Sequence, residues 1–478
     1  MNDISAAPLQ ESSPPRAAGA AGKLDKSAMS WALYEAARNP YVILCTIYVL
    51  APYIATTVIG DPVKGQELIS GWNKLAGFIV ALTAPFLGAA ADRVGNRKPV
   101  LFLVTALMCP LIFAMWWAEP GGAGLSVAEI GILITAVSVL FAYSEVLHNS
   151  MLTRASTPQN LAATSGAGLA LGNAASVVML VFVLFAFAMP GRVDLAFLPP
   201  APLFGLDPVS HQPDRIVAPI VAVFFALMAI PLFLFSRDGA RSTTSWPVAL
   251  RDGVAGVVRT LAKLKDHRNV ATFLAARMLY ADGKTAILIF GGIYAAGVMG
   301  WGLIEMTAYG IILSIFAVGG GFLGGWLDNK IGAKNALVVE IGVTLACLVF
   351  LVSMQKDAIF FVLPIDPAAA IWASEYFNSL PEVLYLGGAC LIAVSITAAY
   401  ASSRTMMARL CPPGMEGELF GLYALSGAAT VWLGPMLVEH FTATYKTQQA
   451  GFGSISILLI AGFLVLLFVK PPAVPERH

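Results

Sequence analysis

Twelve apolar stretches dominate this chain, each near or above the roughly 20 residues that an α-helix needs to cross a bilayer. They cover 30–58, 68–91, 99–118, 126–149, 161–189, 215–236, 269–298, 302–327, 335–354, 382–403, 417–440 and 450–470. A soluble domain carries about 25% charged residues. Here 58% of the 478 residues are hydrophobic and 12% are charged. So much apolar surface needs lipid around it. The expected fold class is all-α and integral to the membrane, with twelve spanning helices.

An even number of spans puts both termini on one face. Of the 29 Lys and Arg, 21 fall in the tails, at Arg38 near the start of the first span, and in the loops after even-numbered spans. Five fall in the opposite loops (Lys64, Arg192, Arg215, Lys356 and Lys446), and Lys74, Arg277 and Lys284 lie inside spans. Basic loops stay in the cytoplasm, so both termini are expected there, on the inner membrane if the chain is bacterial. Residues 1–29 read as a disordered Ala/Pro/Ser tail with no signal-peptide core. Residues 30–236 form a first six-span unit, 269–470 a second, and 471–478 a short tail. The connection 237–268 places Val254, Val258, Leu261 and Leu264 at helical spacing beside Arg251, Arg259, Lys263, Lys265 and Arg268. It reads either as an amphipathic helix on the anionic inner leaflet or as a plain basic linker.

The net charge of +1 implies no nucleic-acid partner. The five cysteines form no Cys-x-x-Cys pair, and four lie in apolar runs where Cys packs as a small hydrophobe. No Walker loop, His-Glu-x-x-His or nucleophile elbow occurs. No enzyme, metal or cofactor is expected. The expected partners are the lipid bilayer, a small solute and protons as coupling ion, with the chain acting as a monomer.

Two loops repeat. Gly88, Arg93, Gly95 and Arg97 match Gly325, Lys330, Gly332 and Lys334, all at an offset of 237 residues. Met151, Arg154, Pro158, Gly166 and Gly172 match Met406, Arg409, Pro413, Gly421 and Gly427, all at an offset of 255. The same order in both halves indicates a duplicated six-helix unit, an arrangement common in transporters.

The loop Gly88 to Lys98, with Asp92, Arg93, Gly95 and Arg97, resembles the major facilitator superfamily signature Gly-x-x-x-Asp-Arg-x-Gly-Arg-Arg. It departs from it at the inserted Asn96, and the second copy has Asn329 where an Asp is expected, with Asp328 adjacent to it. The resemblance implies a cytoplasmic latch built by Gly88, Asp92, Arg93, Gly95, Arg97 and Lys98, with Asp328 and Lys330 in the second copy. A narrower resemblance rests on three stretches: Leu279–Gly283 continuing through Phe290–Gly297, Ser403-Arg404-Thr405 through Pro413, and Glu418–Gly427 followed by Trp432-Leu433-Gly434-Pro435. With Trp31-Ala32-Leu33-Tyr34-Glu35, these resemble the "unknown major facilitator" branch, which includes the fungal autophagy-related vacuolar amino-acid exporter. That implies alternating access between two six-helix bundles and an amino-acid solute. Ala36, Ala37 and Arg38 depart from the branch's pattern, as does His148 beside Asn149.

A charge inside the bilayer faces a cavity or a partner. The seventh span holds Arg277, Tyr280, Asp282 and Lys284. Arg277, Tyr280 and Lys284 share one helical stripe. Asp282 lies opposite on an ideal helix, and Gly283 is read as a break that swings it inward. Either Lys284 and Arg277 meet a carboxylate solute while Asp282 binds a proton or an ammonium, or the set forms ion pairs between helices. Tyr34, Glu35, His148, Asn149 and Arg404 are further cavity candidates. Glu35 and Arg38 also stand at pairing distance on one helix, and Glu145 and His148 suit either proton coupling or a static hydrogen bond. Lys74 is expected to snorkel to the interface. The leading reading is a solute exporter. The alternatives are a proton-coupled permease for another small anionic solute and a non-transporting membrane sensor or assembly factor.

Overall fold

Long apolar runs with few breakers propagate as helices, and the computed structural model of the chain is built almost wholly from them. It describes residues 24–157, 160–194, 197–239, 264–366, 369–411 and 429–471, with Val248, Leu419, Leu422, Tyr423, Leu425, Ser426 and Gly427 as separate positions. Most of the 237–268 connection lies outside the described residues, as do Pro158, Pro413, Glu418, Phe420 and Gly421. The longer helices are α1 (Lys26–Val58), α2 (Pro62–Val94), α3 (Lys98–Ala114), α4 (Val127–Ala155), α5 (Leu161–Val183) and α6 (Val217–Phe235). They continue with α7 (Arg268–Met299), α8 (Leu303–Ile331), α9 (Ala333–Val352), α10 (Leu380–Leu410), α11 (Leu433–Tyr445) and α12 (Gln448–Leu467).

Among the described residues, nine helices are long and apolar enough to span a bilayer: α1, α3 to α6, α8 to α10 and α12. The other three differ for visible reasons. α2 has 33 residues, several of whose side chains lie outside the described set, and α7 has 32 but carries Arg277, Asp282 and Lys284. α11 has 13 residues because the run breaks before it.

Local signals set the ends. Asp25 accepts a bond from the Ala28 N–H at 2.8 Å and starts α1 at Lys26, inside the stretch read as a tail. Ser126 with Glu129 and Ser379 with Glu382 form capping boxes at α4 and α10. Pro40 and Pro52 remove two backbone donors from α1, and the ladder loosens to i→i+5 turns over Tyr41–Tyr48 and Ile54–Val58. Gly95 and Gly332, a repeated pair, end α2 and α8 with φ of 85° and 82°, a region where a side chain would be strained.

α1 is the most buried of these nine helices. Its most apolar window is 72% buried, against 22% for α8. It packs against α5, α6 and α4, while α7 packs against α12 and α10, and α8 lies along α10. Gly324 permits that last approach, since a Cβ there would meet the Ala398 carbonyl oxygen at 2.8 Å.

The helices before residue 240 and those after 264 meet chiefly at one end, remote from the termini. The hydrogen bonds and ion pairs found between them, among the described residues, join α2 to α11, α12 or the turn between those two. Gln66 Nε2 donates to Thr442 Oγ1 (2.8 Å) and to the Gln448 carbonyl (3.1 Å), and Lys74 pairs with Glu439. The Lys74 ammonium has a partner there, a carboxylate on α11. Tyr48 meets Tyr309 edge-on at 5.5 Å in the same region. Toward the termini end, Glu145, Asn149 and Arg404 are exposed. Among the described residues, no hydrogen bond or ion pair joins the two helix groups at this end.

Candidate functional site

Two polar clusters flank the gap between the helix groups. The first is built on α1 and α4. The i,i+3 spacing of Glu35 and Arg38 lets them pair through two bonds, Nε to Oε2 at 2.8 Å and Nη2 to Oε1 at 3.0 Å. Arg38 also lies 3.7 Å from Glu145 and caps the Phe141 ring at 5.0 Å. Trp31 and His148 stack at 4.2 Å. Trp31 Nε1 donates to the His148 carbonyl, and His148 Nε2 lies 2.9 Å from the Trp31 carbonyl. A carbonyl only accepts, so Nε2 carries the hydrogen. His148 Nδ1 is 3.4 Å from Glu35 and bonds it only when the ring holds a second proton. Tyr34, fully buried, shares a bond with Thr105 on α3 at 2.7 Å. Asn149 is exposed and takes no part.

The second cluster is built on α7 and α10. Arg277 Nη1 donates to the Tyr423 carbonyl (2.5 Å) and to Ser426 Oγ (2.6 Å), with its guanidinium over the Tyr423 ring at 3.6 Å. Ser403 Oγ bridges Tyr280 (2.8 Å) and Tyr423 (2.9 Å). The Lys284 ammonium, 1% exposed, lies 3.9 Å from the centre of the Tyr400 ring. It has no carboxylate within ion-pair distance among the described residues. Arg404, one turn from Tyr400, is exposed.

The two clusters are laid out alike. Tyr34 and Arg38 have the spacing of Tyr280 and Lys284, and Glu145 and His148 have the spacing of Tyr400 and Ser403. In one cluster the α1 cation approaches Glu145 on α4. In the other the α7 cation approaches Tyr400 on α10. Glu145 and the neutral Tyr400 ring lie near each other on opposite sides of the gap.

Asp282 is not with Lys284. The helix runs unbroken through Gly283, which packs against Leu458 and Leu459 of α12, so the expected break does not form. The discontinuity lies instead at 429–432, ahead of α11. There Asp282 Oδ2 accepts the Gly434 N–H at 3.0 Å, and Thr430 bonds the Met278 carbonyl. Glu340 on α9 is a buried acid that the sequence reading passed over. Its Oε1 accepts from Ser402 at 2.9 Å.

Of the latch candidates, the side chains of Asp92 and Arg93 and the surroundings of Gly88 lie outside the described set. The Arg97 and Lys98 backbone N–H groups both donate to Asp238 (2.7 and 2.8 Å), and Lys98 Nζ reaches the Phe233 carbonyl. Asp328 is buried, and Lys330 lies over Trp326 at 4.6 Å.

A family model described as "Vacuole effluxer Atg22 like" matches residues 72–472. The chain belongs to that family. It is 22% identical to the MFS-type transporter YxiO of Bacillus subtilis (strain 168) over 452 residues, 94% of this chain and 95% of the relative. It is 20% identical to autophagy-related protein 22 of Coccidioides immitis (strain RS) over 265 residues, 53% of this chain and 42% of the fungal protein. The chain thus aligns with under half of that fungal relative's length. In fold it resembles a point mutant of the nucleoside transporter NupG, with a TM-score of 0.63 and 13% identity over 93% of this chain and 98% of that one. It also resembles a D-xylose-proton symporter, with a TM-score of 0.61 and 10% identity over 94% and 97%. This Atg22-like chain is a multi-pass membrane protein of the major facilitator type, and its relatives are transporters, not enzymes.

Proposed function

We propose that this Atg22-like protein is a secondary active transporter that moves a small carboxylate-bearing solute, an amino acid in the first instance, by alternating access. In this reading twelve spans form two six-helix bundles related by the internal repeat, with both termini cytoplasmic. The bonded end is the outer gate, and the open end faces the cytoplasm. The like-for-like layout of the α1/α4 and α7/α10 clusters supports the duplication.

One observation carries the substrate class. Lys284 is a buried cation whose nearest partner is a ring face, and Glu145 on α4 faces Tyr400 across the gap. A zwitterion set between them would give its carboxylate to Lys284 and its ammonium to Glu145. The ion pair formed on binding replaces the hydration each group loses. Proteoliposomes loaded with labelled amino acids test this. Native protein is expected to release label, and Lys284→Ala to lose that flux while folding normally. Native flux from Lys284→Ala removes Lys284 from the site. Failure of any solute to cross, despite a thermal shift on binding, favours a sensor.

A further inference from the structure

We propose that Glu340 takes up a proton whenever an anionic group occupies Lys284, which makes it the coupling-proton site; this rests on the transporter reading above. Glu340 is 2% exposed within the apolar run of α9. Among the described residues its Oε1 has one partner, the Ser402 hydroxyl. Its Oε2 is buried and has no hydrogen-bond partner among the described residues. No Lys or Arg among them lies within ion-pair distance. A carboxylate held by one hydroxyl cannot stay ionised out of water without a counter-charge.

The groups that face Glu340 are few. α7 presents Lys284 and Tyr280, α8 presents Asp328, and α10 presents Ser402. α12, which also packs on α9, has no titratable side chain. Lys284 is therefore the one cation among these groups, and its flexible four-carbon stem lets the ammonium move between Tyr400 and Glu340. Two neutral arrangements exist. With the gap empty of anion, the ammonium serves Glu340 and the proton leaves. With an anion on the ammonium, Glu340 Oε2 holds a proton drawn from gap water. The proton and the solute anion bind together, and both depart together. No covalent bond changes.

The test uses the full chain in lipid vesicles and two readouts. In the first, a mixture of the common amino acids is added in weak buffer containing a pH-sensitive dye. Native protein is expected to withdraw about one proton per chain as solute binds. Glu340→Gln is expected to withdraw none while keeping its thermal shift with the same mixture, and Glu340→Asp to restore uptake. Equal proton uptake by native protein and Glu340→Gln overturns the proposal. The second readout needs no solute. Infrared difference spectra between acidic and alkaline buffer report buried carboxyl groups. A component present in native protein and in Asp282→Asn, but missing in Glu340→Gln, supports the site; identical native and Glu340→Gln spectra overturn it. If the amino acids neither shift the melting of native protein nor draw protons, the solute reading fails, and the infrared result alone decides Glu340.

Discussion

The Asp282 carboxylate of α7 accepts the backbone N–H of Gly434 at 3.0 Å, in the first turn of α11. An acid at a helix N-terminus satisfies an orphan donor and meets the positive end of the helix dipole. The contact needs a glycine: a Cβ at position 434 would lie 2.7 Å from Ala286 Cβ and 3.2 Å from Asp282 Oδ1. Gly434→Ala is expected to cost about 1–3 kcal/mol through overpacking. Asp282→Ala should cost a similar amount, and Asp282→Asn, which keeps an acceptor, much less. Melting of the detergent-purified protein measures all three. Native melting in both Gly434→Ala and Asp282→Ala would show that this joint holds nothing.

Lys74 and Glu439 join α2 to α11 at the closed end, with both side chains partly exposed. Such a pair contributes about 0.2–1 kcal/mol, enough to shift an open–closed equilibrium by up to roughly fivefold. In a background without the five native cysteines, a cysteine at Thr442 should label faster with an impermeant thiol reagent in Lys74→Ala or Glu439→Ala. The double variant should label no faster than either single, because both remove one interaction. Additive effects would mean that the two side chains act separately.

Patterns local in sequence were readable, and long-range partnerships were not. The i,i+3 spacing of Glu35 and Arg38 marks a pair because helix geometry alone brings them together. Lys74 gave no such sign, since its partner lies 365 residues later. Gly283 looked like a breaker. Packing against α12 holds its helix intact, while the actual discontinuity falls on the turn at 429–432, which carries no proline. Glu340 escaped because one acid in an apolar run has no partner at helical spacing; Ser402 reaches it from α10. The membrane class was legible from hydropathy, which needs no tertiary contact.

The α1/α4 cluster makes a separate demand on stability. Arg38 is buried between Glu35, Glu145 and the Phe141 ring. Removing one member of a buried pair costs about 3–5 kcal/mol, because the other charge stays behind without compensation. Arg38→Ala is expected to lower folded yield and melting temperature sharply. Glu35→Gln with Arg38→Gln together should recover most of the loss, since two neutral amides leave no unpaired charge buried and Glu145, half exposed, keeps its hydration. A double variant less stable than Arg38→Ala would show that the charges are needed in themselves.

In the proposed cycle, closure of the outer gate depends on Gly292 of α7. A side chain there would run into the Ile47 carbonyl of α1, which belongs to the backbone and cannot rotate away. Gly292→Val is therefore expected to disfavour the closed arrangement by about 1–3 kcal/mol, roughly a fivefold shift or more in population. A cysteine at Thr442 should then label from outside at close to its maximal rate, and solute flux should fall because one half of the cycle is blocked. Gly319 of α8 supplies the control. Nothing lies within 4 Å of a Cβ built there, so Gly319→Val should alter neither labelling nor flux. Equal labelling of the Gly292 and Gly319 variants would mean that α1 and α7 do not meet this closely when the gate shuts.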